Sequence, residues 1–151
     1  MAKAVLPKRS TKPSRPPYVL DDQIGFILRQ VSQRHAAIFA RGIGAELTPT
    51  QWAALSKLAE VGPCSQNLLG RQTAMDVATI KGVIDRLSAR GLTETSADPE
   101  DGRRLRVSLT RMGQQLADKV AVNAFAISKE TLAPLDPHER EMLVALLEKL
   151  R

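Results

Sequence analysis

The sequence has little of several features that mark other classes of protein. Its single cysteine, Cys64, excludes a disulfide within the chain and favours a reducing, cytoplasmic setting. Aromatic residues make up only 3% of the chain, which argues against a protein that binds single-stranded nucleic acid by stacking on its bases. No apolar run approaches the ~20 residues of a membrane helix, and no apolar segment typical of a secretory signal follows the N-terminus. We therefore expect no membrane association.

The motifs of common enzymes and metal sites are also missing. The sequence contains no HExxH, CxxC, GxSxG or Walker-type motif. Its two histidines, His35 and His138, fall on different predicted helices. The acids Asp98, Glu100 and Asp101 belong to a predicted turn and do not have the spacing of a metal loop. We therefore expect neither an enzyme nor a bound metal or cofactor.

Positive charge is concentrated at the start of the chain. The formal net charge is +6, and residues 1–17 contribute five cations, no acid and four prolines. This composition predicts a disordered basic arm over residues 1–17. The arm is either a solubilising leader or an extension that reaches the DNA backbone or minor groove.

Apolar periodicity from residue 18 onwards predicts a mainly helical domain, residues 18–151. The first helix is predicted to begin at Asp21 or Asp22 and to end near Gly42. Later helices are predicted to start after five capping residues, which are Thr48, Ser65, Asp76, Thr110 and Asp136. The helix that follows Asp76 is expected to bury its apolar side chains, which are Val77, Ile80, Val83, Ile84 and Leu87.

Between the predicted fourth and fifth helices the period changes from helical to alternating. Leu92 to Thr95 is a predicted strand, and residues 98–102 (DPEDG) are dense in turn formers. Over residues 104–109, three apolar positions (Leu105, Val107 and Leu109) alternate with Arg104, Arg106 and Ser108. These features predict a β-hairpin with a basic outer face.

The order helix, short helix, turn, helix and basic hairpin is that of a winged helix-turn-helix. Such a fold places a recognition helix in the major groove and its hairpin, the wing, beside it. Residues 76–106 carry six cations, which are Lys81, Arg86, Arg90, Arg103, Arg104 and Arg106. Clustered cations supply the affinity for phosphates, so the pattern predicts double-stranded DNA as the partner.

At this point the chain resembles the MarR family of bacterial transcriptional regulators, over about residues 18–151. The resemblance is carried by residues 47–52 (LTPTQW), 62–66 (GPCSQ), 78–87 (ATIKGVIDRL) and the hairpin from 98–104 (DPEDGRR) to 108–110 (SLT). It implies an intertwined homodimer, with dimerisation helices over 18–45 and 111–151 and a DNA-binding lobe over 48–110. It also implies a pseudo-palindromic operator and a repressor released by a small ligand.

The resemblance assigns roles to residues of the DNA-binding lobe. Thr79, Lys81 and Gly82 lie where the family contacts base edges. Ala78, Lys81 and Gly82 depart from residues common in the family, so base preferences do not transfer. Ser65 and Gln66 begin the helix that faces phosphate. The remaining cations assigned to DNA are Arg86, Arg103, Arg104 and Arg106.

Arg103 lies where the family inserts a wing-tip arginine into the minor groove. Asp101 is predicted to orient the wing through an ion pair, with Arg86 as one partner considered. The alternative for each arginine is a solvated surface charge, and for Arg90 and Arg106 the two interpretations stay open.

The resemblance also places a ligand between the dimer helices and the DNA-binding lobe. The residues expected there are Arg34, His35, Phe39, Trp52 and Asn123. His35 is alternatively a hydrogen-bonded core residue, and the two aromatic residues are alternatively part of the core. Residues 18–23 (YVLDDQ) and 74–76 (AMD) are similar to the subgroup that senses hydroxylated nicotinate or related aromatic acids. This similarity implies a small aromatic carboxylate as the ligand.

Two other functions remain open at the level of sequence. Cys64 precedes a predicted helix start, where a stabilised thiolate could sense oxidants; it is alternatively a small buried filler. The chain could also be a non-specific architectural DNA-binding protein. A helical protein-interaction module is the more distant alternative.

Overall fold

Residues 16–151 are described by a computed structural model and form six α-helices and one β-hairpin. The elements are α1 (Ile24–Gly42), α2 (Pro49–Val61), α3 (Gln66–Gln72), α4 (Val77–Ala89), β1 (Thr93–Ala97), β2 (Leu105–Leu109), α5 (Arg111–Thr131) and α6 (Pro137–Glu148). The predicted winged helix-turn-helix is confirmed. The predicted basic arm over residues 1–17 lies almost entirely outside the described residues.

Five helices begin at the capping residues expected from the sequence. At each one the capping side chain accepts a hydrogen bond from the backbone N–H three residues later. Thr48 and Asp136 form complete capping boxes with Gln51 and Glu139, and each is followed by proline at the first helical position. Local sequence chemistry therefore determines where these helices start.

The start of α1 differs from the expectation. Asp21 and Asp22 are the end of a single 3₁₀ turn, Leu20–Asp22, and the residue that precedes α1 is the extended Gln23. The prediction that Asp21 or Asp22 caps the helix is wrong. The backbone N–H of Gln23 closes the 3₁₀ turn by donating to the carbonyl of Leu20 at 3.0 Å, so the helix starts only after it.

The core lies among α2, α3, α4 and the wing, and it continues into the end of α1 and into α5. Its least accessible large side chains include Leu55, Leu69, Ile80 and Leu87. Val77 was expected to join them, but it is 67% exposed because the first position of α4 extends beyond the core. Leu105 is likewise 62% exposed where β2 leaves the turn, so the apolar face of β2 packs inward at Val107.

The wing pairs β1 with β2 in antiparallel register, from Thr93 opposite Leu109 to Ala97 opposite Leu105. Cys64 adds a short bridge on the other side of β2. Its N–H donates to the carbonyl of Val107 at 3.1 Å, and the N–H of Val107 donates back at 2.8 Å. The wing is therefore fixed to the segment that connects α2 with α3.

The wing meets α5 at a close backbone contact. The Thr110 hydroxyl donates to the carbonyl of Gly91 at 2.6 Å, and the Thr110 N–H donates to the carbonyl of Leu92 at 3.1 Å. Gly113, in the first turn of α5, is buried against the same Leu92 carbonyl, where a Cβ atom would overlap the oxygen. Glycine is therefore required at this position by the approach of two backbones.

The outer helices leave apolar side chains uncovered. α6 has no buried residue, although it carries several apolar side chains. On α1 and α6 the large hydrophobic side chains at least 40% exposed are Ile24, Ile27, Leu28, Val31, Met142, Val144, Leu146 and Leu147. None of the helices within residues 16–151 combines the length and the hydropathy of a membrane-spanning segment.

Candidate nucleic-acid interface and adjoining cleft

The outward face of α4 carries the residues predicted to contact bases. Ala78, Thr79 and Lys81 are exposed, on the sides of the helix away from the buried Ile80 and Val83. The helix begins at Asp76, whose carboxylate accepts from the Thr79 N–H at 2.7 Å. This hydrogen bond lowers the pKa of Asp76, so the cap is ionised at neutral pH and is lost only in acid.

Two cations on α4 differ in their surroundings. Lys81 forms an exposed ion pair with Asp85 at 2.7 Å, one helical turn away. A Cβ atom built on Gly82 would lie 3.8 Å from the nearest guanidinium nitrogen of Arg86, so Arg86 lies over the gap left by Gly82. Gly82 thus leaves the outward face of α4 flat beneath the Arg86 side chain.

Gly82→Ala is expected to stabilise the protein by about 0.5 to 1 kcal/mol, because alanine is the better helix former and its Cβ meets Arg86 only at van der Waals distance. Urea unfolding at a fixed protein concentration measures the change. A loss of stability would contradict the open position that we describe for Gly82.

The wing turn is organised by Asp101. Its carboxylate accepts from the backbone N–H of Arg103 at 3.1 Å and forms an ion pair with Arg104 at 3.2 Å. The pairing with Arg86 that was considered is not formed, and Arg104, three residues later in the same turn, is the ion-pair partner. Asp101 therefore stabilises the turn that carries Arg103, and its ion-pair partner is Arg104 rather than Arg86.

Two other arginines make contacts within the fold. Arg106 pairs with Asp98 at 3.6 Å and donates to the carbonyl of Pro63 at 3.2 Å. Arg90 donates to the carbonyl of Ala45 at 2.8 Å, which ties the end of α4 to the loop before α2. Both guanidinium groups therefore bind other parts of the same chain and are not simply solvated.

Of the six cations in residues 76–106, two have no partner for their side chains within the described residues. Within residues 16–151, the side chains of Arg86 and Arg103 have no ion pair within 4.0 Å and donate no side-chain hydrogen bond. Both are exposed, Arg86 on α4 and Arg103 at the tip of the wing. Their charges are therefore free for an external anion.

Asn67 and Arg71 of α3 were not among the residues predicted for the DNA interface. Ser65 caps this helix by accepting from the Leu68 N–H at 3.2 Å, and Gln66 is its first residue. Asn67 and Arg71, one helical turn apart, line a groove between α3 and the wing with Ser65, Gln66, Arg104 and Leu105. Their spacing of four on a short amphipathic helix is the signal that would have identified them.

A cleft lies where α5 faces α1 and α2. One part of it has a volume of about 220 Å³ and is lined by Trp52, Ser56, Ala121, Ala124, Phe125 and Ser128. An adjoining part of about 110 Å³ shares Trp52, Ala124 and Ser128 and adds His35, Phe39 and Ile127. Three residues predicted for a ligand site, His35, Phe39 and Trp52, therefore come together here.

Hydrogen bonds fix the orientation of the His35 ring. The Thr131 hydroxyl lies 2.9 Å from His35 Nδ1 and also 2.9 Å from the carbonyl of Ile127, to which it donates. Because the hydroxyl has one proton, Nδ1 must be the donor toward Thr131. In the neutral ring, Nε2 is then an acceptor for another group.

The two other residues predicted for the ligand site do not line the cleft. Arg34 donates to the carbonyls of Thr131 at 2.6 Å and Glu130 at 3.2 Å, at the C-terminal end of α5. Asn123 donates to the carbonyl of Ile43 at 3.0 Å, at the end of α1. Both side chains complete helix ends whose carbonyls lack partners within the helix.

Three other residues of the cleft were not anticipated. Ser56 and Ser128 contribute hydroxyl groups, and Phe125 contributes an aromatic ring that is 77% exposed. Phe125 lies next to the apolar stripe of α5 rather than on it. An aromatic residue that does not fit the apolar periodicity of its helix is the signal that would have identified Phe125 as part of a site.

Cys64 is buried at 7% exposure, inside its bridge with Val107. Burial raises the pKa of its thiol, and the nearby charge of Arg106 only partly opposes this effect. The thiolate, which is the reactive form, is therefore scarce at neutral pH. This environment favours the structural interpretation of Cys64 over oxidant sensing.

We expect native Cys64 to react with iodoacetamide much more slowly than the same thiol in the unfolded chain. We also expect Cys64→Ala to leave the effect of peroxide on DNA binding unchanged. Labelling followed by mass spectrometry, with and without urea, measures the first. Equal labelling rates in the two states would contradict the buried position.

The chain is similar to known transcriptional regulators in both sequence and structure. Residues 47–105 match the model of the MarR family. The chain is 39% identical over 148 residues to the HTH-type transcriptional repressor NicR of Pseudomonas putida, covering 95% of this chain and 94% of NicR.

Two solved structures are similar over nearly the whole fold. A probable transcriptional regulator from Pseudomonas aeruginosa is 59% identical with a TM-score of 0.84, covering 88% of this chain and 100% of that one. BpsR of Bordetella bronchiseptica, whose DNA binding is regulated by 6-hydroxynicotinic acid, is 41% identical with a TM-score of 0.85, covering 89% and 96%.

Proposed function

Because the chain belongs to the MarR family and is a transcriptional regulator of that type, we propose that it is a dimeric repressor released from its operator by a hydroxylated aromatic acid such as 6-hydroxynicotinic acid. The observation that carries this proposal is the cleft of His35, Trp52 and Phe125 beside the DNA-binding lobe. The 39% identity to a repressor and the 41% identity to a 6-hydroxynicotinic acid-regulated protein support it.

The dimer would form through the uncovered faces of α1 and α6. Ile24, Val31, Met142 and Leu146 are between 49% and 65% exposed in the single chain. Apolar surface of this extent, on the two helices at the ends of the domain, is typical of an interface between subunits. A second copy of the chain would bury it and place two DNA-binding lobes side by side.

Each lobe would place α4 in a major groove and Arg103 in the neighbouring minor groove. In this arrangement Ala78, Thr79, Lys81 and Gly82 face base edges. The phosphates would be contacted by cations and by the start of α3, which together are Ser65, Gln66, Arg86, Arg104 and Arg106. The two lobes would bind successive major grooves about 34 Å apart.

The chemistry of the cleft suits an aromatic acid that carries a hydroxyl group. The rings of Trp52 and Phe125 offer apolar surface to a flat ligand. The hydroxyls of Ser56 and Ser128 can donate to a carboxylate, and Nε2 of His35 can accept from the ligand hydroxyl. Because α2 contributes to both the cleft and the DNA-binding core, a bound ligand can favour a different spacing of the two lobes.

We expect His35→Ala to weaken the binding of 6-hydroxynicotinic acid by about 5- to 12-fold, because a lost hydrogen bond costs about 1 to 1.5 kcal/mol. DNA affinity without the ligand should stay within about twofold of wild type. Calorimetric titration of the dimer gives the first value, and fluorescence anisotropy with labelled DNA gives the second.

His138→Ala is the matched control, since it removes the other histidine, in the first turn of α6 and outside the cleft. It should leave ligand affinity unchanged. Unchanged affinity for 6-hydroxynicotinic acid in His35→Ala would exclude His35 from the ligand site.

A further inference from the structure

Val77 is an exposed apolar side chain at the first position of α4. It is 67% exposed, whereas the apolar residues of the following turns are buried. The start of the helix does not require it, because Asp76 provides the cap. The apolar contacts at this helix start come from Met75, which precedes the cap, and from Ile80 in the second turn, and both pack with the buried core. Val77 therefore has no evident task in folding.

The surroundings of Val77 combine apolar and cationic groups. It lines a shallow groove with Asn67, Arg71, Met75 and Ile80, and most of the exposed surface in this groove is apolar. In the described chain the Arg71 side chain has no carboxylate within 4.0 Å. Asp76 also lines this groove, but its carboxylate accepts a hydrogen bond from the backbone N–H of Thr79. The groove thus offers an apolar contact next to an available positive charge.

Duplex DNA has this combination in its major groove. The C5 methyl of thymine is the apolar group that the four standard bases present there, and phosphates line both sides of the groove. The first residues of a recognition helix are those that reach base edges. A valine over any other base edge would face donors and acceptors that it cannot satisfy.

We propose that Val77 determines part of the operator sequence by contacting a thymine methyl, while Arg71 neutralises a neighbouring phosphate. This inference rests on the proposed placement of α4 in the major groove. It assigns base selectivity to an apolar residue of α4, where Ala78 and Gly82, two of the four positions proposed to face bases, have no side-chain hydrogen-bonding group. Selectivity at this base pair then comes from an apolar contact.

The experiment removes thymine methyl groups from the DNA, one from each half of the operator at a time. The full-length protein first enriches duplexes from a random pool at fixed salt; we call the enriched duplex the selected operator. Each symmetric pair of thymines is then replaced by deoxyuridine, which deletes only the methyl. We expect one pair whose replacement weakens wild-type binding by about 15-fold, or about 4-fold per methyl, the effect of one buried CH₂-sized group.

In Val77→Ala the same replacement should change affinity by less than about twofold, because no partner for the methyl remains. This variant should fold, since the side chain is exposed and alanine favours helix. Val122→Ala is the control, as Val122 is 69% exposed but lies on α5, and it should retain the loss of about 15-fold.

Two results would overturn the proposal while leaving DNA recognition intact. In the first, a selected operator is obtained but no thymine pair is sensitive to deoxyuridine. In the second, a sensitive pair is found and Val77→Ala is equally sensitive. If the pool yields no enriched duplex at all, the proposed placement of α4 fails together with the role of Val77.

Discussion

Arg103→Ala is expected to weaken binding to the selected operator by about 100-fold, while the dimer and its thermal stability remain unchanged. Asp101 fixes the backbone of Arg103 by accepting from its N–H at 3.1 Å, and the guanidinium extends from the wing tip without an internal partner in the described chain. A dimer has two wings, and each arginine–DNA contact contributes about 1 to 3 kcal/mol.

Fluorescence anisotropy at one fixed salt concentration measures this effect, with size-exclusion chromatography to check the dimer. Lys129→Ala is the matched control, because it removes the same charge about 27 Å along α5 from the wing end of that helix. It should change affinity by less than about threefold. Operator affinity within threefold of wild type in Arg103→Ala would exclude the wing-tip contact.

Gly113→Ala is expected to destabilise the protein by about 3 kcal/mol, at the upper end of overpacking costs. The new Cβ would overlap the carbonyl oxygen of Leu92. That oxygen also accepts from the Thr110 N–H at 3.1 Å, so it cannot withdraw without losing a hydrogen bond that joins the wing to α5. The strain therefore falls on two backbone segments, neither of which can move alone.

Urea unfolding at equal protein concentrations tests this expectation, because the stability of a dimer depends on concentration. Gly82→Ala makes the same chemical change in α4, where only the flexible Arg86 side chain is near, and should stabilise the protein slightly. Stability of Gly113→Ala within about 0.5 kcal/mol of wild type would contradict the close approach of the two backbones.

The helix starts and the wing could be predicted because their determinants are local. Thr48 and Asp136 cap their helices through atoms three residues away, and the turn over residues 98–102 precedes the alternating strand β2. The errors concern positions that depend on distant parts of the chain. Val77 fits the apolar period of α4, yet the core ends before it, which no local pattern indicates.

The same distinction applies to the cleft. The resemblance to the family predicted a ligand site with His35 and Trp52, and both residues line the cleft. Arg34 and Asn123 were expected there on the same basis, but neither of them lines the cleft. Both side chains donate to backbone carbonyls at helix ends. The sequence alone does not indicate which helix ends lie close together.

The most direct test of the proposed regulation measures the affinity for the selected operator and for a random duplex at one salt concentration, with and without 6-hydroxynicotinic acid. We predict that the ligand-free protein prefers the operator by about 10³-fold or more, as specific DNA-binding proteins do, and that saturating ligand removes most of this preference. Equal affinity for both duplexes, or a preference that the ligand does not change, would contradict a ligand-released repressor.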